Sequence, residues 1–204
     1  MKELLPIDVN ESKFNQDAVL PYGLRPEHVR SAMMDFVRFL KFIDEKLLIE
    51  GMPRLEDFLM PANFSSIVGE FMSANIPKYC TSIVKNAHHN GHPDMVPKGH
   101  FPNDRVQHHT VGIEVKASRY RRGWQGHNPE QVFLMVFVFD SDSPRLDALT
   151  MEKRAFSFIE VLAADLEKED WQHAGRSATS RRTITAAIKR SGFEKLKSNW
   201  IYRL

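Results

Sequence analysis

The feature that most constrains the fold is an uninterrupted apolar run, Val132 to Phe139, within the segment QVFLMVFVFD at residues 131–140. Its length and its β-branched and aromatic content are typical of a strand. Side chains along a strand point alternately to opposite faces, so a strand that is apolar on both faces must be covered on both. The run therefore predicts a central strand of a sheet with further structure packed on each side.

Helical periodicity precedes this strand. We expect Pro26 to open a long amphipathic helix that stops at Gly51 and Pro53, and Asn63 to cap a second helix that ends by Pro77. Further strands are predicted at 79–85 and 110–117, and a short helix at 183–189. Residues 156–162 fit a strand or a helix, and their β-branched and aromatic content favours the strand. This order predicts one α/β domain over 1–204, with a central mixed β-sheet flanked by helices. Within it, 1–60 form an N-terminal arm and helical region and 171–204 a basic C-terminal segment.

Composition excludes several classes of protein. Cys80 is the only cysteine of the 204 residues, so no internal disulfide framework can form. The start MKELLPIDVN lacks the charged and then apolar pattern of a secretory leader. No apolar run approaches the roughly 18 residues needed for a membrane helix. We therefore expect a cytoplasmic protein with no membrane partner.

The formal net charge of +2 hides a strong segregation of charge along the chain. Residues 71–139 hold 8 Lys or Arg against 4 Asp or Glu, and residues 171–204 hold 8 against 1. Residues 1–70 hold 12 acidic against 8 basic side chains, and residues 140–170 hold 9 against 4. Two separate basic segments predict a polyanionic partner, most simply nucleic acid. The alternative is a patchy surface with no such partner.

The candidate catalytic residues are Asp94 and, after nineteen intervening residues, Glu114 and Lys116 of a Glu-Val-Lys triplet. Residues two apart in a strand share a face, so Glu114 and Lys116 project together while their neighbours face the core. A carboxylate and an ammonium on an otherwise apolar strand are costly without a purpose. Asp94 reaches the same point if residues 93–96 pair beside this strand.

These residue types suit phosphodiester hydrolysis. Hard divalent cations are held by oxygen ligands, and Mg²⁺ keeps waters and substrate phosphate among its own ligands. The carboxylates of Asp94 and Glu114, with the backbone carbonyl of Val115, would form such an open site for Mg²⁺, with Mn²⁺ as a substitute. The positive charge of Lys116 would hold the attacking water and favour its deprotonated form.

Pro93-Asp94 followed by Glu114-Val115-Lys116 resembles the motif of the PD-(D/E)xK nuclease superfamily, which includes type II restriction endonucleases and many repair and recombination nucleases. The resemblance covers about residues 63–140, where helix, strand, PD strand, ExK strand and apolar strand follow in the family's order. It implies a restriction-endonuclease-like core and cleavage of double-stranded DNA. It also implies that an acidic residue of the preceding helix joins the metal site, for which Glu70 is the candidate.

Two polar, basic segments are candidates for DNA contact. Their arginines suit phosphates or guanine edges, their hydroxyls suit phosphates, Trp124 could stack, and the amides and His127 offer hydrogen bonds to bases. The candidates are Ser118, Arg119, Arg121, Arg122, Trp124, Gln125, His127 and Asn128 in the first segment, and Arg176, Ser180, Arg181, Arg182 and Thr183 in the second. Solvated basic loops, with Trp124 in the core, are the alternative.

Histidines cluster between residues 88 and 127, which raises the question of zinc. The single cysteine and the irregular HHxxH spacing argue against a structural zinc site, and we expect some of these imidazoles to line a DNA cleft.

The leading expectation is a type II restriction endonuclease. One site per chain cuts one strand, so we expect a homodimer and a companion DNA methyltransferase. The alternatives are a structure-specific repair or recombination nuclease, a non-catalytic DNA-binding protein and a histidine-rich zinc protein.

Overall fold

A computed structural model describes residues 4–126, 128–142, 153–173 and 185–204 of the chain. The helices are α1 (Pro26–Ile49), α2 (Leu55–Phe58), α3 (Pro61–Tyr79) and α4 (Arg190–Ser198). The strands are β1 (Ile83–Lys85), β2 (Met95–Pro97), β3 (Ile113–Ser118), β4 (Gln125–Gly126), β5 (Val132–Asp140), β6 (Ser157–Leu166), β7 (Trp171–His173), β8 (Ala186–Ile188) and β9 (Trp200–Arg203). None of the described helices is long and apolar enough to cross a membrane.

The central sheet has six strands in the order β1-β2-β3-β5-β6-β9. β3 and β5 run parallel, from Ile113 opposite Phe133 to Ser118 opposite Val138, and the other neighbours are antiparallel. A small second sheet has the order β4-β8-β7. The mixed sheet with packed helices confirms the predicted α/β class.

The central strand β5 is buried on both faces, as its apolar run predicts. Met135, Phe137 and Phe139 lie in a first core that also contains the buried faces of α1 and α3. The alternate residues Leu134, Val136 and Val138 lie in a second core. That second core also contains side chains of α4, β7 and β8.

Helix α1 begins at Pro26 as predicted, and its apolar stripe is core from Val29 to Leu40. Helix α3 differs at both ends, because it begins at Pro61 and continues past Pro77 to Tyr79. A proline near the end of a helix removes only a late hydrogen bond, and Cys80 N still donates to the Ile76 carbonyl at 3.2 Å. Burial of Ile76 in the first core holds this last turn. The predicted strand at 79–85 is consequently shortened to Ile83–Lys85.

The predicted helix at 183–189 is wrong over its described part. Residues Ala186–Ile188 form β8, which pairs with β4 on one side and β7 on the other. Alanine favours helices, but cross-strand pairing on both sides outweighs that local preference. Residues 183 and 184 lie outside the described part. The helix near this end of the chain is α4, and it is followed by a strand, β9, that the sequence did not predict.

The two ends of the chain meet on the central sheet. Phe14 bridges to Tyr202 of β9, and Asn15 N donates to the Ile201 carbonyl at 2.9 Å. Ile7 N donates to the Phe156 carbonyl at 2.8 Å beside β6. Phe14 and Tyr202 both belong to the first core. The N-terminal arm is therefore packed against the same sheet that the C-terminal strand completes.

A buried charged cluster lies where α1, α2 and the end of β5 meet. Arg54 is buried among Asp44, Glu56 and Asp142, and it pairs with Asp142 at 2.5 Å and with Glu56 at 3.2 Å. One arginine cannot neutralise three buried carboxylates. Burial, reinforced by the charge of Asp44, raises the pKa of Glu56 to about 7. Glu56 therefore takes up a proton more readily in the folded than in the unfolded chain.

We expect Glu56→Gln to flatten the pH dependence of stability. The folded-state pKa of Glu56, about 7, lies above its ordinary 4.5, so its contribution is present below about pH 4.5 and lost as pH rises through 7. Urea titrations at pH 5 and pH 8 measure the change. From pH 5 to pH 8 the free energy of unfolding should fall more for the native chain than for Glu56→Gln. Glu45→Gln, at an exposed position of α1, is the control. An equal loss in the native chain and in Glu56→Gln would contradict the assignment.

Candidate active site

The backbone places Asp94 beside the Glu-Val-Lys triplet. β2 pairs with β3 only through Met95 opposite Ile113, and continuing this antiparallel register sets Asp94 next to Glu114. Gly112 (φ +145°) makes the approach possible, because a Cβ there would lie 2.3 Å from Pro93 Cγ and 2.4 Å from the Met95 carbonyl oxygen. The condition set by the sequence, that residues 93–96 run beside this strand, is therefore met.

A direct hydrogen bond joins the two parts of the motif. Val115 N donates to Asp94 Oδ2 at 2.8 Å. The N–H and C=O of one strand residue leave the strand on the same side, so the Val115 carbonyl faces the side on which Asp94 lies. Two carboxylates and one carbonyl are thus gathered at one short stretch of strand edge.

Glu114 and Lys116 share a face of β3, as predicted. Lys116 Nζ donates to Glu114 Oε1 at 3.1 Å. Their side chains are only 15% and 23% exposed, whereas Ile113 and Val115 point into the first core. This is a partly buried ion pair at the side of a cleft and not a solvated pair on the surface.

The electrostatics of the two carboxyl groups differ. Burial, and then the charge of Glu114, raise the pKa of Asp94 to about 7. Burial also disfavours ionised Glu114, but the hydrogen bond from His92 and the charge of Lys116 outweigh it and lower its pKa to about 2. In turn, burial lowers the pKa of His92, while contacts with Glu114 and Glu130 outweigh it and raise it to about 9. Glu114 is therefore compensated by cations, and Asp94 much less so.

The donor set fits a hard divalent cation. Asp94 forms no ion pair within the described residues, and its nearest strong partner is the neutral Val115 N–H. Carboxylate and carbonyl oxygens are the ligands of Mg²⁺ and Mn²⁺. Such an ion would be held by Asp94, Glu114 and the Val115 carbonyl. Its positive charge would compensate the Asp94 carboxylate, which has no ion-pair partner among the described residues.

These groups open into a cleft of about 760 Å³. One wall is β3 from Glu114 to Ser118 and the residues that follow it, and the other is α3. The α3 wall consists of small residues with one acidic side chain, namely Ala62, Ser65, Ser66, Gly69 and Glu70. Small side chains leave room for a large substrate beside the carboxylates.

Glu70 lies in this wall but not in the carboxylate group. Its side chain is 67% exposed, and Lys85 Nζ donates to its Oε2 at 2.6 Å. Its charge contributes only weakly to the pKa of Asp94. Ligation of a metal by Glu70 stays a prediction that would require the pair with Lys85 to open.

The predicted DNA-contacting residues of the loop after β3 differ in their exposure to solvent. Ser118 and Arg119 are half-buried, and Arg121, Arg122, Gln125 and Asn128 are exposed. Trp124 departs from the prediction, because it is only 4% exposed. It packs against Phe193 in the second core, and its Nε1 donates to the Tyr120 carbonyl at 2.7 Å. We therefore reassign Trp124 from base stacking to anchoring the loop.

The remaining predicted DNA contacts, His127, Arg176, Ser180, Arg181, Arg182 and Thr183, lie outside the described residues. The strands that flank the second basic segment are nevertheless placed. β8, which follows it, pairs with β4 of the loop, and Gln125 lies opposite Ala187. Gln125 also lines the cleft. The fold therefore places the strand that follows residues 174–184 beside β4, one residue of which lines the cleft.

Asn86 is a positioning residue that the sequence did not reveal. It is buried, and its Nδ2 donates to the carbonyls of Pro93 (3.0 Å) and Val106 (2.8 Å). Its backbone N donates to the Asp94 carbonyl at 2.8 Å, and its Oδ1 accepts from Val106 N and His88 N. One side chain thus fixes the backbone that carries Asp94. An asparagine after a short strand gives no sequence signal for this role.

We expect Asn86→Ala to destabilise the chain. The substitution leaves several buried backbone groups without partners, which costs about 1–3 kcal/mol of unfolding free energy. Urea denaturation followed by circular dichroism measures the loss. Asn90→Ala, an exposed position in the same loop, is the matched control and should change stability by less than about 0.5 kcal/mol. Equal stabilities of the two variants would show that Asn86 does not hold this segment.

No known protein-family model matches this chain, and no curated protein matches its sequence. The features of this chain that bear on its function are the geometry of the carboxylates, the lysine and the cleft.

Proposed function

We propose that this chain is a Mg²⁺-dependent endodeoxyribonuclease of the PD-(D/E)xK type, acting on double-stranded DNA. The observation that carries the proposal is the convergence of Asp94, Glu114 and Lys116 at one edge of β3. Two hydrogen bonds tie them together, Val115 N to Asp94 Oδ2 and Lys116 Nζ to Glu114 Oε1. Partly buried acids at an open cleft are expensive to maintain for stability alone.

Each residue has a distinct part in the proposed hydrolysis. Asp94 and Glu114 would hold the cation together with the Val115 carbonyl. When bound, Mg²⁺ supplies charge to neutralise a phosphate oxygen and lowers the pKa of a water. The Lys116 ammonium, held by Glu114, would orient the attacking water and stabilise its deprotonated form. The Val115 N–H orients the Asp94 carboxylate throughout.

The charge around the cleft supports a phosphate-bearing substrate. Arg121 and Arg122 are exposed on the loop that leaves β3, a few residues beyond Lys116. Guanidinium groups at such positions bind phosphates and guanine edges. The anchoring of this loop through Trp124 would limit the conformational freedom lost when DNA binds.

We expect Asp94→Asn and Lys116→Gln to lower cleavage of supercoiled plasmid in Mg²⁺ by about 100-fold or more, since each removes one catalytic charge while nearly preserving shape. Both should still bind DNA in Ca²⁺ in a gel-shift assay. Asp17→Asn and Lys98→Gln change the same charges at exposed positions away from the cleft and should cut normally. Undiminished cutting by either site variant would overturn the assignment.

The products distinguish the subtypes. We favour a type II restriction endonuclease, which should produce discrete fragments from a long DNA and should be blocked by methylation of its recognition site. Cutting confined to branched or mismatched DNA would identify a repair or recombination nuclease instead. DNA binding with no nicking in any divalent cation would identify a non-catalytic DNA-binding protein.

We also propose that the active form is a homodimer. One described cleft holds one set of catalytic groups, which hydrolyses one strand at a time. A two-fold dimer presents two such sites to the two antiparallel strands of a duplex. Sedimentation of the chain with a short cleavable duplex in Ca²⁺ should give two chains per duplex, and a one-to-one complex that still makes double-strand breaks would contradict this.

A further inference from the structure

Beside the proposed catalytic groups lies a second cluster of potential metal ligands. His92, His108 and Glu130 each present one ligand atom, and these three atoms lie within 4.8 Å of one another. They come from three segments, immediately before β2, before β3 and before β5. Hydrogen bonds hold the first two together, since His92 N donates to the Gln107 carbonyl and His109 N to the His92 carbonyl.

The centre of this cluster is a close, partly buried ion pair. His92 Nε2 and Glu130 Oε2 lie 2.5 Å apart, and no other side chain or backbone group of the described residues bonds to either atom. A cavity of about 20 Å³ adjoins this pair, lined in part by His92, Glu114, Lys116 and Glu130 but not by His108. Such a volume accommodates one water beside the cluster.

The chemistry of the donors selects the ion. Two imidazoles and one carboxylate suit Zn²⁺ and neighbouring transition metals, whereas the oxygen-only group at Asp94 and Glu114 suits Mg²⁺. From these contacts we propose that His92, His108 and Glu130 form a second site, for a transition-metal ion of the zinc class. Ligands from three separate segments need no regular spacing, which explains why the sequence pattern argued against zinc.

The second site is connected to the first through a single ring. With Nε2 directed to the ion, His92 keeps Nδ1, which lies 2.9 Å from Glu114 Oε2. A histidine that ligates a metal commonly donates its other N–H to a carboxylate, which fixes the orientation of both. The bound ion therefore orders His92 and, through it, Glu114. The site stands independently of the proposed function, and its influence on cleavage rests on that function.

The test uses the whole chain, stripped with a chelator and titrated with Zn²⁺ against a chromophoric competitor. We expect one tight equivalent per chain, a rise in melting temperature on adding Zn²⁺, and ligand-field absorption when Co²⁺ is used instead. His108→Ala and Glu130→Gln should each weaken Zn²⁺ binding by about 10-fold or more. His89→Ala, which removes an exposed histidine nearby, should bind Zn²⁺ normally.

The proposed site is wrong if His108→Ala and Glu130→Gln both bind Zn²⁺ with the affinity of the native chain. It is also wrong if the native chain does not bind one equivalent of Zn²⁺. Circular dichroism of the metal-free variants shows whether each is folded, and the two variants serve as checks on one another. If the chain binds Zn²⁺ through these ligands but never cleaves DNA, the second site is supported and the nuclease proposal is contradicted. If it cleaves DNA in Mg²⁺ but does not bind Zn²⁺, the nuclease proposal is supported and the second site is contradicted.

Discussion

The parallel pairing of β3 with β5 is the constraint on which the rest of the structure depends. Parallel neighbours cannot be joined by a tight turn, so the chain must cross over between the end of one and the start of the other. Here the crossover is residues 119–131, whose described residues include β4 and no helix. It leaves β3 beside the carboxylates, and Trp124 fastens it to the second core. Topology therefore requires a loop at this place, and the sequence makes that loop basic.

Asp94 and Glu114 place two carboxylates beside this loop, at a part of the β3 edge that β2 does not cover. β2 separates from β3 after one pair of residues, so the backbone of Val115 is available to Asp94 rather than to another strand. Ionised groups are tolerated in such surroundings only with partners. Glu114 has Lys116 and His92, while Asp94 has a neutral donor. The imbalance is local, and the proposed divalent cation would correct it.

The central strand β5 and the long helix α1 were predictable because burial of their faces requires apolar residues at regular positions. Both faces of β5 lie in cores, and the stripe of α1 lies in the first core, so hydrophobic pattern and structure agree. The shared face of Glu114 and Lys116 was also predictable, since alternation fixes which side chains of a strand lie together. The position of Asp94 was predicted only on the condition that residues 93–96 pair beside this strand. Local pattern failed where tertiary pairing decides the outcome, as at Ala186–Ile188 between two strands.

The functional residues that sequence analysis did not identify act through contacts with segments that are distant in the sequence. Asn86 bonds to backbone at Pro93 and Val106, and Glu130 meets His92 only because β2 and β5 flank β3. Neither residue belongs to a motif, because no fixed spacing is needed when the fold supplies the proximity. The same geometry gives His92 two carboxylate neighbours. A cation bound on one side of that ring would change the hydrogen bond that the ring offers Glu114 on the other side, and in this way the two proposed sites would be coupled.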